Sequence, residues 1–367
     1  MDVPRRDWPP IAALVAVVLL ALVVVGRLQS GNFADGDAGP SQATRGTVGK
    51  DATPVASGLA VAGRVPLPGQ AAAVAVGEGA VWVLLKQGTL LRVDLGRYLV
   101  TGSVELGAPT GGMPVGLLAV GAGAVWVGTQ EARVTVRVDP VSLRVTAWLG
   151  GHVAMVAHGV LWSYCCRRGD KAMGFGRTDA STLRPRPPLV VTDSSGRRQP
   201  VGRLAVGGGA VWTQVPEDER VWRVPLAGGP ARVVVRVSGV GYGLAADDGA
   251  VWVLSGMGDP GSVRDRGGRL RRLDQRTGEV TSTTPLPDLA VSLAVGPVLG
   301  GGAVWLAGPY SRGLHDGGIL LRVDPASGRV TGWFRDPHWF FQDVAAAGPR
   351  GVWVGTAMSE LLYVVPA

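Results

Sequence analysis

Apolar residues in this chain fall in short runs that alternate with small or polar positions, and each run stops at glycine, proline or aspartate. One phrase recurs: AVGEGAVWV from Ala75, AVGAGAVWV from Ala119, AVGGGAVWT from Ala205 and AADDGAVWV from Ala245. GGGAVWL from Gly300 and GPRGVWV from Gly348 continue it, and VAHGVLWS from Val156 is a weaker copy. Its tryptophans are Trp82, Trp126, Trp162, Trp212, Trp252, Trp305 and Trp353, spaced by about 45 residues, the period of a repeat architecture.

Within each unit an apolar run ends at a Gly-rich turn, and a second run alternates around the Trp. A third run ends in Arg-x-Asp: Arg92 and Asp94, Arg137 and Asp139, Arg177 and Asp179, Arg272 and Asp274, Arg322 and Asp324. The fourth unit has Arg223 and Pro225 instead. A turn and a fourth run close the unit. Val-rich runs of about 4–8 residues bounded by Gly, Pro and Asp are strands, and four strands per repeat make a propeller blade. The last unit stops at LLYVVPA with three strands, while GLAVAGRVPLPG from Gly58 matches a fourth-strand phrase. The expectation is an all-β, seven-bladed propeller whose N-terminal strand completes a one-plus-three last blade and removes an open sheet edge. The Trp rings are expected to fill the wedges between blades. The Asp carboxylates are expected to accept turn N–H groups, and the paired Arg to lie on an exposed strand face.

The N-terminus breaks this pattern. MDVPRRDWPP is followed by the uncharged run IAALVAVVLLALVVVG from Ile11, long enough for a short membrane span. Arg5 and Arg6 place the preceding end in the cytoplasm. The division expected is 1–8 cytoplasmic, 9–28 a transmembrane signal-anchor, 29–58 a small-residue, polar, flexible linker, and 59–367 the propeller, outside the cytoplasm. A cleaved secretory signal is the alternative, although no small-residue cleavage site follows the apolar run. Either way the propeller is extracytoplasmic.

Composition narrows the function. Gly 57 and Pro 26 without a triplet period, at 46% hydrophobic content, exclude collagen and a disordered chain. The net charge is +8, but all of the 36 basic residues except Lys50, Lys86 and Lys171 are Arg, which points to coding bias. That charge recurs along the repeats rather than gathering in one stripe, so nucleic acid is not an expected partner. Four histidines, without metal-ligand spacing, give no metal site. Cys165 and Cys166 are adjacent, so they form either a strained vicinal disulfide or two unlinked thiols.

The pattern GAVWV, LLRVD and SVELG resembles the YVTN-type and streptogramin lyase-like seven-bladed propellers over about residues 59–367. The first resemblance implies an extracytoplasmic binding protein and the second a C–O lyase. A lyase of that kind needs several histidines and a Glu around Mg²⁺. Here His315, His338 and Glu360 would serve only if their loops converged, and no matching motif is present. Some quinoprotein dehydrogenases carry a vicinal disulfide, but they have eight blades and Ca²⁺ ligands not found here. No cofactor is expected.

Chemistry is expected on the face that carries the loops between second and third strands together with the inter-blade connections, because long loops on a rigid scaffold carry function. Its candidate ligand-binding residues are Arg167, Arg168, Arg197, Arg198, Arg266, Tyr310, Arg312, His315, His338, Trp339 and Phe340. Arg with aromatics is a hot-spot composition, although these Arg could equally be solvated, and RDPHWFFQD from Arg335 could plug the closing seam. The expected function is a non-enzymatic, membrane-anchored module, a monomeric propeller binding an envelope protein or an anionic envelope ligand.

Overall fold

Each repeat folds into an antiparallel sheet whose strands run in chain order. In the first these are Ala71–Gly77, Ala80–Leu85, Thr89–Val93 and Val100–Glu105. The structure is a computed structural model. It describes residues 55–106, 117–129, 134–169, 171–215, 219–237, 241–247, 249–256, 268–286, 295–309, 317–336, 341–347, 350–356 and 358–367. Segments 1–8 and 9–28 and residues 29–54 of the expected linker lie outside it. Seven sheets are present among the described residues. The inner strand of each touches the inner strands of its two neighbours, and the ring returns to its start where Phe341–Ala347 meets Ala71–Gly77. The fold is an all-β, seven-bladed propeller.

In the last sheet Leu59–Pro66 forms the outer strand, antiparallel to Glu360–Pro366, with Leu59 opposite Pro366 and Val65 opposite Leu361. Leu59 and Val65 are buried in the cores on either side. Regular structure starts before the expected boundary. Val55–Ser57 pair as a fifth strand with the sixth blade's outer strand, Val330–Asp336, with Val55 opposite Arg335. An outer strand offers a row of unpaired backbone groups, and the chain passes this edge on its way to Leu59.

The repeat phrase has three local causes. First, its x-G pair is a two-residue hairpin turn with positive φ at both positions, as at Glu78 (49°) and Gly79 (73°), or Ala122 (55°) and Gly123 (71°). Second, the indole of Trp82 donates to the Gly77 carbonyl at 3.1 Å, and Trp126, Trp212 and Trp305 do the same to Gly121, Gly207 and Gly300. These rings are fully buried against the next blade, Trp82 for instance against Val125 and Val127. Third, the Asp closing the third strand accepts turn N–H groups. Asp94 takes Gly96 at 2.9 Å and Arg97 at 2.7 Å, and Asp139, Asp179, Asp274 and Asp324 repeat the pattern. Those donors hold each carboxyl below its usual range, Asp179 furthest, with Ser181 and Arg186 adding to the backbone donor Thr182; at Asp324 the Ser327 hydroxyl is the largest cause, ahead of the backbone donors.

The paired arginines differ from expectation, being half-buried rather than exposed. Each stands opposite its blade's Trp, Arg92 opposite Trp82 and Arg137 opposite Trp126. The guanidinium of Arg137 lies 5.7 Å from the Trp126 ring and donates to Thr146 Oγ1 on the outer strand at 2.8 Å. Arg92, Arg272 and Arg322 bond Thr101, Thr281 and Thr331 in the same way. The stem covers the ring and the head clips the outer strand. In the last blade Tyr363 takes this place, its ring centroid 4.8 Å from that of Trp353.

Candidate functional site

Strand alternation assigns the turns to two faces. The Gly hairpins and the Asp turns share one face. The loops between second and third strands share the other with the connections that lead into the next inner strand. The first face repeats the same chemistry from blade to blade, whereas the loops of the second differ in length and composition.

On that face the third and fourth blades are sewn together. Cys165 ends a second strand, and its carbonyl accepts from Met173 N at 3.2 Å across the loop. Inside the loop Arg168 and Lys171 exchange backbone hydrogen bonds at 2.9 and 3.4 Å, with Gly169 at φ 64° supplying the reversal. The Met173 carbonyl then accepts from Val191 N at 3.2 Å, and the Ala172 carbonyl from Val201 N at 2.9 Å. The connection from Val191 to Val201 is thereby fixed to the loop's base. It is shaped by Asp193, whose Oδ1 accepts from Ser195 N at 3.0 Å, Ser195 Oγ at 2.6 Å and Arg197 N at 3.0 Å, and whose Oδ2 accepts from Gln199 Nε2 at 2.7 Å. The Ser195 hydroxyl is the main cause holding the Asp193 carboxyl low. Thr192 bridges to Arg198.

Arg167, Arg168, Arg197 and Arg198, all exposed, are therefore carried on two connected loops, with exposed Lys171 beside them. Arg203 enters the inner strand just beyond. Its charge opposes the burial that pushes the Tyr164 phenol up, and the Tyr164 ring is 5.8 Å from Phe175. The sulfurs of Cys165 and Cys166 are in disulfide contact at the root of the arginine loop, with Cα atoms 3.8 Å apart and Cys166 at φ 59°.

Arg266, Tyr310, Arg312, His315, His338, Trp339 and Phe340 lie outside the described residues. Glu360 pairs with Arg64 of the outer strand at 3.4 Å. His158 sits in a hairpin turn of the opposite face at φ 50°. Between the inner strands, a cavity of about 290 Å³ is lined by apolar residues such as Val74, Leu118, Met155 and Leu299.

Sequence reasoning missed a set of polar residues beneath the loop face. Gln214, Ser255 and Thr356 are buried near the loop-side ends of their strands, and Arg271 is buried midway along its own. A signal for the first was present. Gln214 stands two places after a repeat Trp, where Leu84 and Leu254 stand in two other blades.

No protein-family model matches the sequence, and no curated protein sequence matches it. Among solved structures, the chain is similar to the Pan2 WD40 domain of Neurospora crassa. The TM-score is 0.61 at 10% identity, over 84% of this chain and 95% of that one. At that identity the likeness carries the fold alone.

Proposed function

We propose that this protein is a membrane-anchored, extracytoplasmic propeller that acts as a non-enzymatic binding module, presenting its loop face to an anionic protein segment or polymer of the cell envelope. The observation that supports this reading most is the tying of Arg167, Arg168, Arg197 and Arg198 into one sector by the hydrogen bonds from Met173 to Val191 and from Ala172 to Val201. Clustered guanidinium groups on a rigid frame attract carboxylate and phosphate groups and lose that attraction as salt screens them. The repeat's resemblance to YVTN-type propellers agrees with binding rather than chemistry, and the apolar run before residue 29 supplies the anchor.

The test is capture from an envelope extract by the wild-type chain and by a variant with all four arginines changed to Ala. Capture should fall in the variant, and for the wild type it should weaken as salt rises. Equal capture by both proteins at every salt concentration would remove the arginine sector from the function. A phosphatase fused to the C-terminus, active only outside the cytoplasm, should be active. A silent fusion would reverse the orientation.

A further inference from the structure

The seam between the fourth and fifth blades begins as an ordinary apolar interface. Trp212 and Val221 of one blade pack on Val251, Val253 and Leu273 of the next. Strand alternation carries the same faces toward the loop end. Gln214 follows Trp212 by two, Ser255 follows Val253 by two, and Arg271 precedes Leu273 by two. All three side chains therefore face this seam, Gln214 and Ser255 beyond its apolar part and Arg271 from a position opposite Val253.

Their chemistry does not balance internally. Gln214 is 0% exposed, and neither its Nε2 nor its Oε1 has a hydrogen-bond partner among the described residues. Arg271 is only 9% exposed; it donates to Ser255 Oγ, and no carboxylate among the described residues forms an ion pair with it. Burial lowers its pKa, and Arg269 beside it adds a second positive charge. Glu219, on the same face, stands exposed at the rim. A buried cation without a counter-charge and a buried amide without partners are each costly. The repeat itself shows a cheaper residue for the amide position, since Leu84 and Leu254 fill it in other blades at 0% exposed.

We propose that this seam is a binding site for a small oxyanion that also bears a hydroxyl, such as a hydrogen phosphate group. Oxygen acceptors of the anion would take the Arg271 guanidinium, the Gln214 amide N–H and the Ser255 O–H, which is free to donate because its oxygen already accepts from Arg271. The anion's own O–H would donate to Gln214 Oε1. That last contact separates hydrogen phosphate from sulfate, which has no proton to give at neutral pH. The site lies one seam beyond the arginine sector and does not depend on that sector's function.

The test uses the full-length protein in detergent, with inorganic phosphate as the probe, sodium sulfate as comparison and sodium chloride at matched ionic strength as control. Phosphate should raise the unfolding temperature in a saturable way, with sulfate about tenfold weaker. Gln214→Leu should unfold at a higher temperature than wild type without phosphate, and should bind phosphate about tenfold or more weakly. Arg271→Gln should abolish the phosphate shift. The proposal is overturned if phosphate does no more than chloride, if sulfate equals phosphate, or if the Gln214→Leu protein responds to phosphate as wild type does. Retention of the arginine-dependent envelope capture in Gln214→Leu separates this site from the loop face.

Discussion

Replacing Trp82 and Trp252 separately with Phe isolates what the repeat phrase contributes. The two rings are fully buried at equivalent places in their strands. The packing lost on removing the second ring is therefore comparable at the two positions. They differ in one hydrogen bond. The Trp82 indole donates to the Gly77 carbonyl at 3.1 Å, whereas the Trp252 indole has no partner among the described residues. In the fifth blade the carbonyl five residues before the Trp belongs to Asp247, and the Gln275 side-chain amide takes it instead. Losing the bond at Trp82 takes one of two donors from a buried hairpin carbonyl, at about 0.5–1.5 kcal/mol. At Trp252 the same change removes a donor that was already unpaired, which recovers part of the packing loss. Trp82→Phe should therefore cost about 2 kcal/mol more than Trp252→Phe. With an unfolding entropy of about 2.1 cal/mol/K per residue over roughly 300 residues, that difference is about 3 °C in Tm. Urea unfolding followed by circular dichroism gives the free energies directly, provided the transitions stay two-state. Equal losses, or a larger loss at Trp252, would refute the assignment of the glycine–tryptophan spacing to this hydrogen bond.

Three further outcomes follow from the frame. Gly77→Ala should cost about 1–3 kcal/mol in urea unfolding, because a Cβ there would lie 2.7 Å from Cγ1 of Val120 on the next blade and the close approach leaves no room for it. The turn carboxylates of Asp94, Asp139, Asp179, Asp274 and Asp324 have depressed folded-state values, so their contribution is complete above the unfolded value near about 3.9 and is lost as pH falls through the folded ones. The urea midpoint should be flat down to about pH 5 and then drop, and Asp179→Asn should shallow that drop. Deleting Gly58–Gly69 should destabilise the whole ring by removing Leu59 and Val65 from two cores, while deleting residues 1–50 should leave the thermal midpoint unchanged; equal midpoints for the two truncations would refute the structural role of the outer strand.

The elements that the sequence displayed were those repeated with fixed spacing. Gly77 and Trp82 recur five residues apart because one hairpin and one indole bond set that distance. The turn aspartates were visible because the Asx turn is local, confined to residues two or three apart. The position of the arginines was not. Arg92 lies ten residues after Trp82 and Arg137 eleven after Trp126, because the intervening loops differ, so only strand pairing shows that each guanidinium sits opposite a ring. Val55–Ser57 escaped notice because three residues carry no period, and their pairing depends on an edge supplied by residues far away in sequence. Gln214 escaped for another reason. A Gln in an alternating strand normally reads as the solvent side, and only its place after Trp212 marks it as inward.

That last point extends to the whole ring. From the hairpin through the Trp, the second strands are nearly identical, as Ala80-Val81-Trp82 and Ala210-Val211-Trp212 illustrate. Past the Trp they diverge: Leu84-Leu85 in the first blade, Tyr164-Cys165 in the third, Gln214-Val215 in the fourth, Leu254-Ser255 in the fifth. The uniform half packs the wedge and fixes the hairpin, tasks that each blade repeats. The variable half lies nearer the loop face, and there the third blade carries a half-buried phenol and a disulfide sulfur, the fourth a buried amide and the fifth a buried hydroxyl, where the first is wholly aliphatic. Polar groups at such positions weaken a core unless something satisfies them. Their gathering in consecutive blades, directly beside the loops that carry Arg167, Arg168, Arg197 and Arg198, gives the ring a chemically distinct sector, and the proposed recognition is placed there for that reason rather than evenly around the axis.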